Sequence, residues 1–81
     1  MSHPAVIVYS RPGCHLCEQL IEQLAPLVRG RAELEVRNID GHGPWQRQFG
    51  TRIPVVEIAG RIICEYHLNR DAVEAALSPR A

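Results

Sequence analysis

The stretch Ala5-Val6-Ile7-Val8-Tyr9-Ser10-Arg11-Pro12-Gly13-Cys14-His15-Leu16-Cys17 decides the fold. Its first six residues form an apolar run that reads as a buried strand. Arg11-Pro12-Gly13 reads as a tight turn, and helical periodicity follows from Glu18 onward. Two thiols three residues apart are therefore placed at a strand-to-helix junction, with Cys14 at or beside the helix start. The unpaired backbone N–H groups and the positive end of the helix dipole favour an anion there. Such a setting makes a thiolate, and the first reading of the site is redox chemistry.

Working outward, Leu16, Leu20, Ile21, Leu24, Leu27 and Val28 recur on one helical face, and Gly30 ends the element. Pro26 falls inside this pattern and is expected to kink the helix or leave a loose last turn. Glu33–Arg37 alternates as a second strand that Asn38-Ile39-Asp40 closes. Gly41-His42-Gly43-Pro44 is a loop opening a short helix in which Trp45 and Phe49 share a face. Ile53–Ala59 and Arg61–Cys64, joined through Gly60, read as a hairpin. Asn69 is placed to cap a last helix running to about Leu77, with Asp71 in its first turn. The order is β-α-β-α-β-β-α: an α/β fold, a four-stranded mixed sheet with helices on both faces. One domain over 1–81, with a core of about 5–77, is expected from the length.

Composition narrows the function. Nine basic residues, all arginine, balance nine acidic ones. No charge excess points to nucleic acid or to an anionic membrane surface. No apolar run is long enough for a secretory leader or a membrane span. A reducing compartment, the cytoplasm, is expected. Three cysteines there point to catalysis or metal binding and not to a structural staple.

A dithiol exchange enzyme needs one exposed thiolate to attack and a second thiol to resolve the mixed disulfide. Residues three apart on a helix lie on the same side, so Cys17 can reach the Cys14 sulfur. An ordinary thiol, with a pKa of about 8.5, is only about 3% ionised at pH 7; a helix N-terminus and nearby cations lower that pKa. Arg11 lies three residues before Cys14, and His15 lies between the thiols. Either cation would favour the thiolate, His15 only while protonated, and would make the couple more oxidising. Ile53-Pro54 opens a strand that this element order puts near the centre of the sheet, where proline is unusual. A cis bond there would turn the chain beside the thiols and leave the Ile53 backbone free to pair with a substrate.

Other readings of the dithiol stay open at this stage. The pair is half of a zinc site, for which His3, His15, His42, His67 and Cys64 make no second paired motif. It is also half of a shared iron–sulfur cluster across a dimer, or a sensor in an interaction domain. Cys64 is most simply a small buried apolar residue.

Together the two motifs, Tyr9 to Cys17 and Gly50-Thr51-Arg52-Ile53-Pro54-Val55-Val56 followed by Gly60, resemble the thioredoxin-like fold. More narrowly, the chain is similar to the small bacterial glutaredoxin-like proteins, whose function is largely unassigned. The resemblance implies Cys14 as nucleophile, Cys17 as resolving thiol and Pro54 as the cis-proline. It implies Arg11 as the basic residue that meets a glutathione carboxylate. The substrate would be a disulfide-bearing protein or a small thiol, handled by a monomer with no resident cofactor and no metal, glutathione being a candidate co-substrate. Two departures stand out. His15-Leu16 replaces the usual Pro-Tyr between the cysteines, and Cys64-Glu65 falls where glutaredoxins carry a Gly-Gly pair. The Glu65 charge, brought toward a carboxylate-bearing ligand, is expected to weaken glutathione binding.

Overall fold

The structure, a computed structural model, describes residues 4–78. His3, one of the histidines considered above as a zinc ligand, lies outside them. The elements are β1 (Ala5–Ser10), α1 (His15–Val28), β2 (Glu33–Asn38), α2 (Gly43–Phe49), β3 (Val55–Ile58), β4 (Arg61–Glu65) and α3 (Arg70–Leu77). The sheet order is β2-β1-β3-β4. β1 runs parallel to β2 and antiparallel to β3, and β3 is antiparallel to β4, so the sheet is mixed.

Strand alternation sorts the side chains into two cores. Val6 and Val8 of β1, paired with Ile58 and Val56 of β3, face one way. Leu20, Leu24 and Val28 of α1 and Val73 of α3 close that side, all essentially inaccessible to water. Tyr9 and Val55 face the other way and pack with Phe49 of α2 and with Ile39. Helices therefore cover both faces, α1 and α3 on one and α2 on the other. Burying each of these large side chains contributes about 1.5–3 kcal/mol, which orients the sheet and fixes where its ends point.

Local chemistry sets the ends. The Arg11–Gly13 turn requires a left-handed residue, supplied by Gly13 at φ +78°. Ala59 and Gly60, at φ +53° and +78°, make the two-residue turn between β3 and β4. Two successive positive φ values match the twist of a hairpin. Pro26 lies inside α1, which nonetheless continues to Val28. The N–H that proline lacks would have pointed at the Glu22 carbonyl, on an exposed residue where water can bond it instead. Beyond it the Val28 carbonyl accepts from the Arg31 and Ala32 N–H groups, each at 2.9 Å. The expected last-turn disruption is thus absorbed at the helix end.

One boundary moves. The expected strand from Ile53 begins only at Val55. The Arg52 and Ile53 N–H groups both donate to the Phe49 carbonyl, at 2.8 and 3.1 Å, and so finish α2 before the strand starts.

On the far side of β1, the Tyr9 hydroxyl donates to Glu57 and accepts from the Arg37 guanidinium, both at 3.2 Å. Arg37 also lies 5.3 Å over the Trp45 ring. Trp45 stacks on His42 at 3.7 Å, and the Trp45 N–H donates to His42 Nδ1. This polar and aromatic cluster fastens α2 to the sheet. Among the described residues no helix is long and apolar enough to cross a membrane.

Candidate functional site

Because β1 and β3 are antiparallel with Tyr9 opposite Val55, the exit of β1 and the entry of β3 lie at one end of the sheet. The turn that carries the dithiol leaves from that end, and the Arg52–Pro54 segment arrives there. The Ile53–Pro54 peptide bond is cis, and Pro54 is buried.

Cys14 is the N-cap of α1. Its backbone is extended, its N–H donates to the Arg11 carbonyl at 3.3 Å, and its sulfur accepts the Cys17 N–H at 3.1 Å. Cys14 and Cys17 are joined as a disulfide across a Cα–Cα distance of 5.2 Å, inside the range a disulfide requires. The two sulfurs differ in access. Cys17 is 2% exposed, on the core side of α1, whereas Cys14 is partly exposed at the helix start. Cys14 is thus the more exposed of the two.

The other residues expected at the site are nearby in the fold, but several are already engaged. Arg11 Nε donates to Asp40 at 3.0 Å, tying the turn before α1 to the loop after β2. His15 is exposed, and its ring accepts from the Gln19 side chain one turn along α1, at 3.2 Å. Arg52 reaches Glu65 at 2.5 Å, so the negative charge expected to oppose a carboxylate-bearing ligand is paired. That ion pair holds the Glu65 carboxyl below the ordinary glutamate range. The Ile53 backbone is not wholly free either, since its N–H already donates to Phe49.

Tyr66 carries no sequence signal and stands out in the structure. It follows β4 at φ +68°, unusual for a residue with a large side chain. The His67 N–H donates to the Glu65 carbonyl at 2.7 Å across it, which makes a γ-turn. Its own N–H donates to the Pro54 carbonyl at 2.8 Å, and its hydroxyl donates to the Thr51 carbonyl at 2.5 Å. Those bonds bind the end of β4 to the segment that enters β3.

Cys64 sits half-buried in β4 opposite Val56, against the core that α1 closes. Burial pushes its thiol above the ordinary range. His67 is exposed. Among the described residues no three His, Cys, Asp or Glu side chains converge as metal ligands would.

A family model, glutaredoxin-like domain (DUF836), matches residues 5–78. The chain belongs to the glutaredoxin-like family. An uncharacterized protein of Mycobacterium tuberculosis is 34% identical over 67 residues, which span 75% of this chain and 69% of that one. The solution structure of a Nitrosomonas europaea protein is 38% identical and superposes with a TM-score of 0.84, over 96% of this chain and 95% of that one. The X-ray structure of a protein from X. campestris is 28% identical and superposes with a TM-score of 0.73, over 91% of this chain and 99% of that one. Family and fold agree with the resemblance read from Tyr9–Cys17 and Gly50–Val56.

Proposed function

We propose that this glutaredoxin-like chain is a thiol–disulfide oxidoreductase, acting as a monomer on disulfides of proteins or of small thiols. The observation that carries the reading is the asymmetry of the pair: a partly exposed Cys14 at the N-cap of α1, bonded to a Cys17 that water does not reach. In the reduced protein the Cys14 thiolate attacks one sulfur of a substrate disulfide. A Cys14–substrate disulfide forms, the substrate S–S bond breaks, and the departing thiolate takes a proton from water. Cys17 then loses its proton, attacks the Cys14 sulfur and expels the second substrate thiol. Two electrons pass from the protein dithiol to the substrate, and the steps reverse when the substrate is the stronger reductant.

Helix α1 supplies the main support for the thiolate. With Arg11 paired to Asp40, the Arg11 charge is offset by an adjacent carboxylate, so the N–H groups of the first turn dominate. The Cys17 N–H already points at the Cys14 sulfur. His15, exposed in the first turn of α1 beside Cys14, is the secondary tuning residue. Pro54 and Ile53 form the neighbouring wall, against which an extended substrate segment lies. Glutathione enters as one candidate donor of electrons to the oxidised pair.

The test is trapping. Reduced wild-type protein, Cys14→Ser and Cys17→Ser are each mixed with a disulfide-bonded model protein and analysed by intact mass. Wild type reduces the substrate and ends oxidised. Cys17→Ser accumulates a covalent adduct that dithiothreitol releases, and Cys14→Ser gives neither. An adduct on Cys14→Ser instead, or no reaction from any form, sinks the proposal.

A further inference from the structure

Edge strands carry unpaired backbone groups that can take up a further strand. The sheet has two edges, β2 and β4, and they differ. β4 has a register shift opposite Val56 and Glu57, an irregularity of the kind that blunts an edge. β2 has none. Its residues pair one for one with β1, from Ala5–Glu33 to Ser10–Asn38, and it holds no proline, glycine or lysine. Near its middle Val36 is 48% exposed, the most exposed large apolar side chain among the described residues.

The backbone of β2 is divided between its two sides. The Glu33 and Ile39 N–H groups donate to the Pro4 and Ser10 carbonyls, at 3.0 and 2.9 Å. Residues of that parity spend their backbone groups on β1, and Leu34, Val36 and Asn38 turn theirs to the open edge. Side chains alternate as well. Leu34 packs with the core under α1, whereas Arg37 lies over Tyr9 and Trp45 on the α2 face. Glu35 shares that second face and bonds Arg37.

This pattern complements itself. An antiparallel copy of β2 must set outward backbone groups against outward ones, so even-numbered residues face even-numbered ones. With Val36 opposite Val36 of the second copy, Leu34 meets Asn38, and these pairs exchange N–H···O bonds. Glu35 then stands opposite Arg37 of the other chain, in both directions, at the closer sites between those bonds. A slip of two residues either way stacks Glu35 on Glu35 or Arg37 on Arg37, and a slip of one loses the ladder. Arg37 can serve both carboxylates. Its Nε bonds Glu35 and one Nη bonds Tyr9, which leaves the other Nη for a second acceptor.

We infer that the open edge of β2 binds a second copy of this chain, antiparallel and in register about Val36. The two sheets then run on as one across a two-fold axis at Val36. That axis turns one chain end for end. The two dithiol ends, which follow Ser10 beside Asn38, therefore point opposite ways and both stay open. One strand from each chain makes a contact well below the standard interface of about 1,600 Å², so pairing depends on concentration. The dilute chain is the monomer of the exchange reading, and the inference stands independently of that reading.

The experiment is sedimentation velocity of the reduced full chain from about 10 µM to about 1 mM, a range suited to an interface weaker than micromolar. Isotope-filtered NMR of mixed labelled and unlabelled chain reads the register. Sedimentation is expected to shift from one chain to two as concentration rises, and NMR to place Glu35 Hα of one copy beside Arg37 Hα of the other. Glu35→Arg sets arginine against arginine at two sites, and Val36→Lys sets lysine against lysine at the axis. Each is at an exposed position and is expected to weaken pairing about tenfold or more, with the melting temperature little changed. Arg37→Glu is expected not to pair with itself. Mixed with Glu35→Arg it is expected to form a heterodimer, because opposite charges meet again at both sites.

A single-chain mass at every concentration overturns the inference. So does a dimer that survives both Glu35→Arg and Val36→Lys, which would place the contact elsewhere. Folded Arg37→Glu and Glu35→Arg that stay monomeric when mixed would contradict the register.

Discussion

Arg52, in the segment that enters β3, bonds the Glu65 carboxylate at the end of β4. The pair joins the two backbone segments that Tyr66 also ties, and it lies at the end of the sheet from which the dithiol turn departs. Its charge balance changes what this end of the molecule offers a ligand. Glu65 by itself opposes a carboxylate, and Arg52 by itself attracts one. Paired, they leave a near-neutral rim.

The pair has a pH signature. The guanidinium hydrogen bond lowers the folded-state pKa of Glu65, so its stabilising effect is fully present above the ordinary glutamate value of about 4.3. It is lost as pH falls through the lowered value. A carboxyl titration followed by carbon-13 NMR is expected to give Glu65 a midpoint below that of an ordinary glutamate. Arg52→Gln is expected to move it upward. An unchanged midpoint in Arg52→Gln means that the pair does not persist in solution.

Cys64 gives the opposite sign. Burial raises its thiol, so in the unfolded chain it ionises at lower pH than in the fold. Stability from this group is complete below the ordinary thiol value of about 8.5 and declines as pH rises past it. In oxidised protein, where Cys14 and Cys17 are protected, iodoacetamide reports Cys64 alone. Its alkylation is expected to be slower than in urea-unfolded protein and to have a midpoint at higher pH. Equal profiles would place Cys64 in open solvent.

Tyr9 bridges Glu57 and Arg37 through its hydroxyl while its ring stacks on Phe49 at 4.2 Å. Tyr9→Phe keeps the ring and removes both hydrogen bonds. The expected loss is about 1 kcal/mol in urea unfolding, the usual net value of a side-chain hydrogen bond, with the fold retained. A neutral result would show that water replaces the hydroxyl at no cost.

Leu24 of α1 is fully buried in the core shared with Val6, Val8 and Val73. Leu24→Ala is expected to cost about 2–5 kcal/mol. A domain this small has only a few kcal/mol in reserve, so thermal melting should show a variant largely unfolded near physiological temperature. A melting point close to wild type would mean that α1 can repack around the void.

Much of this was legible along the chain because the deciding signals are local. An apolar run, a glycine that permits positive φ and a cysteine pair at helical spacing are read within a dozen residues. They place β1, the turn and Cys14 correctly. The β3 boundary misled because Ile53 continues an apolar pattern while its N–H is used to finish α2, a competition that periodicity cannot see. The ion pairs were hidden for a different reason. Arg11 with Asp40 and Arg52 with Glu65 join positions 29 and 13 residues apart, and charge alone does not say which of nine acids each arginine meets. Tyr66 was least visible: a tyrosine in a γ-turn follows from hydrogen bonds to Pro54 and Thr51 that exist only once β3 and β4 pair.

The measurement that tests the redox account most directly is intact-mass analysis of the protein equilibrated across glutathione redox buffers, with Cys14→Ser and Cys17→Ser alongside. Wild type is expected to lose the mass of two hydrogens over a defined range of potential, through a Cys14–Cys17 disulfide that neither variant forms. Cys17→Ser is expected to gain a mixed disulfide that Cys14→Ser lacks, which identifies Cys14 as the attacking sulfur. Wild-type protein that keeps both thiols under strongly oxidising buffer, or an oxidised mass that persists in Cys14→Ser, would contradict the account.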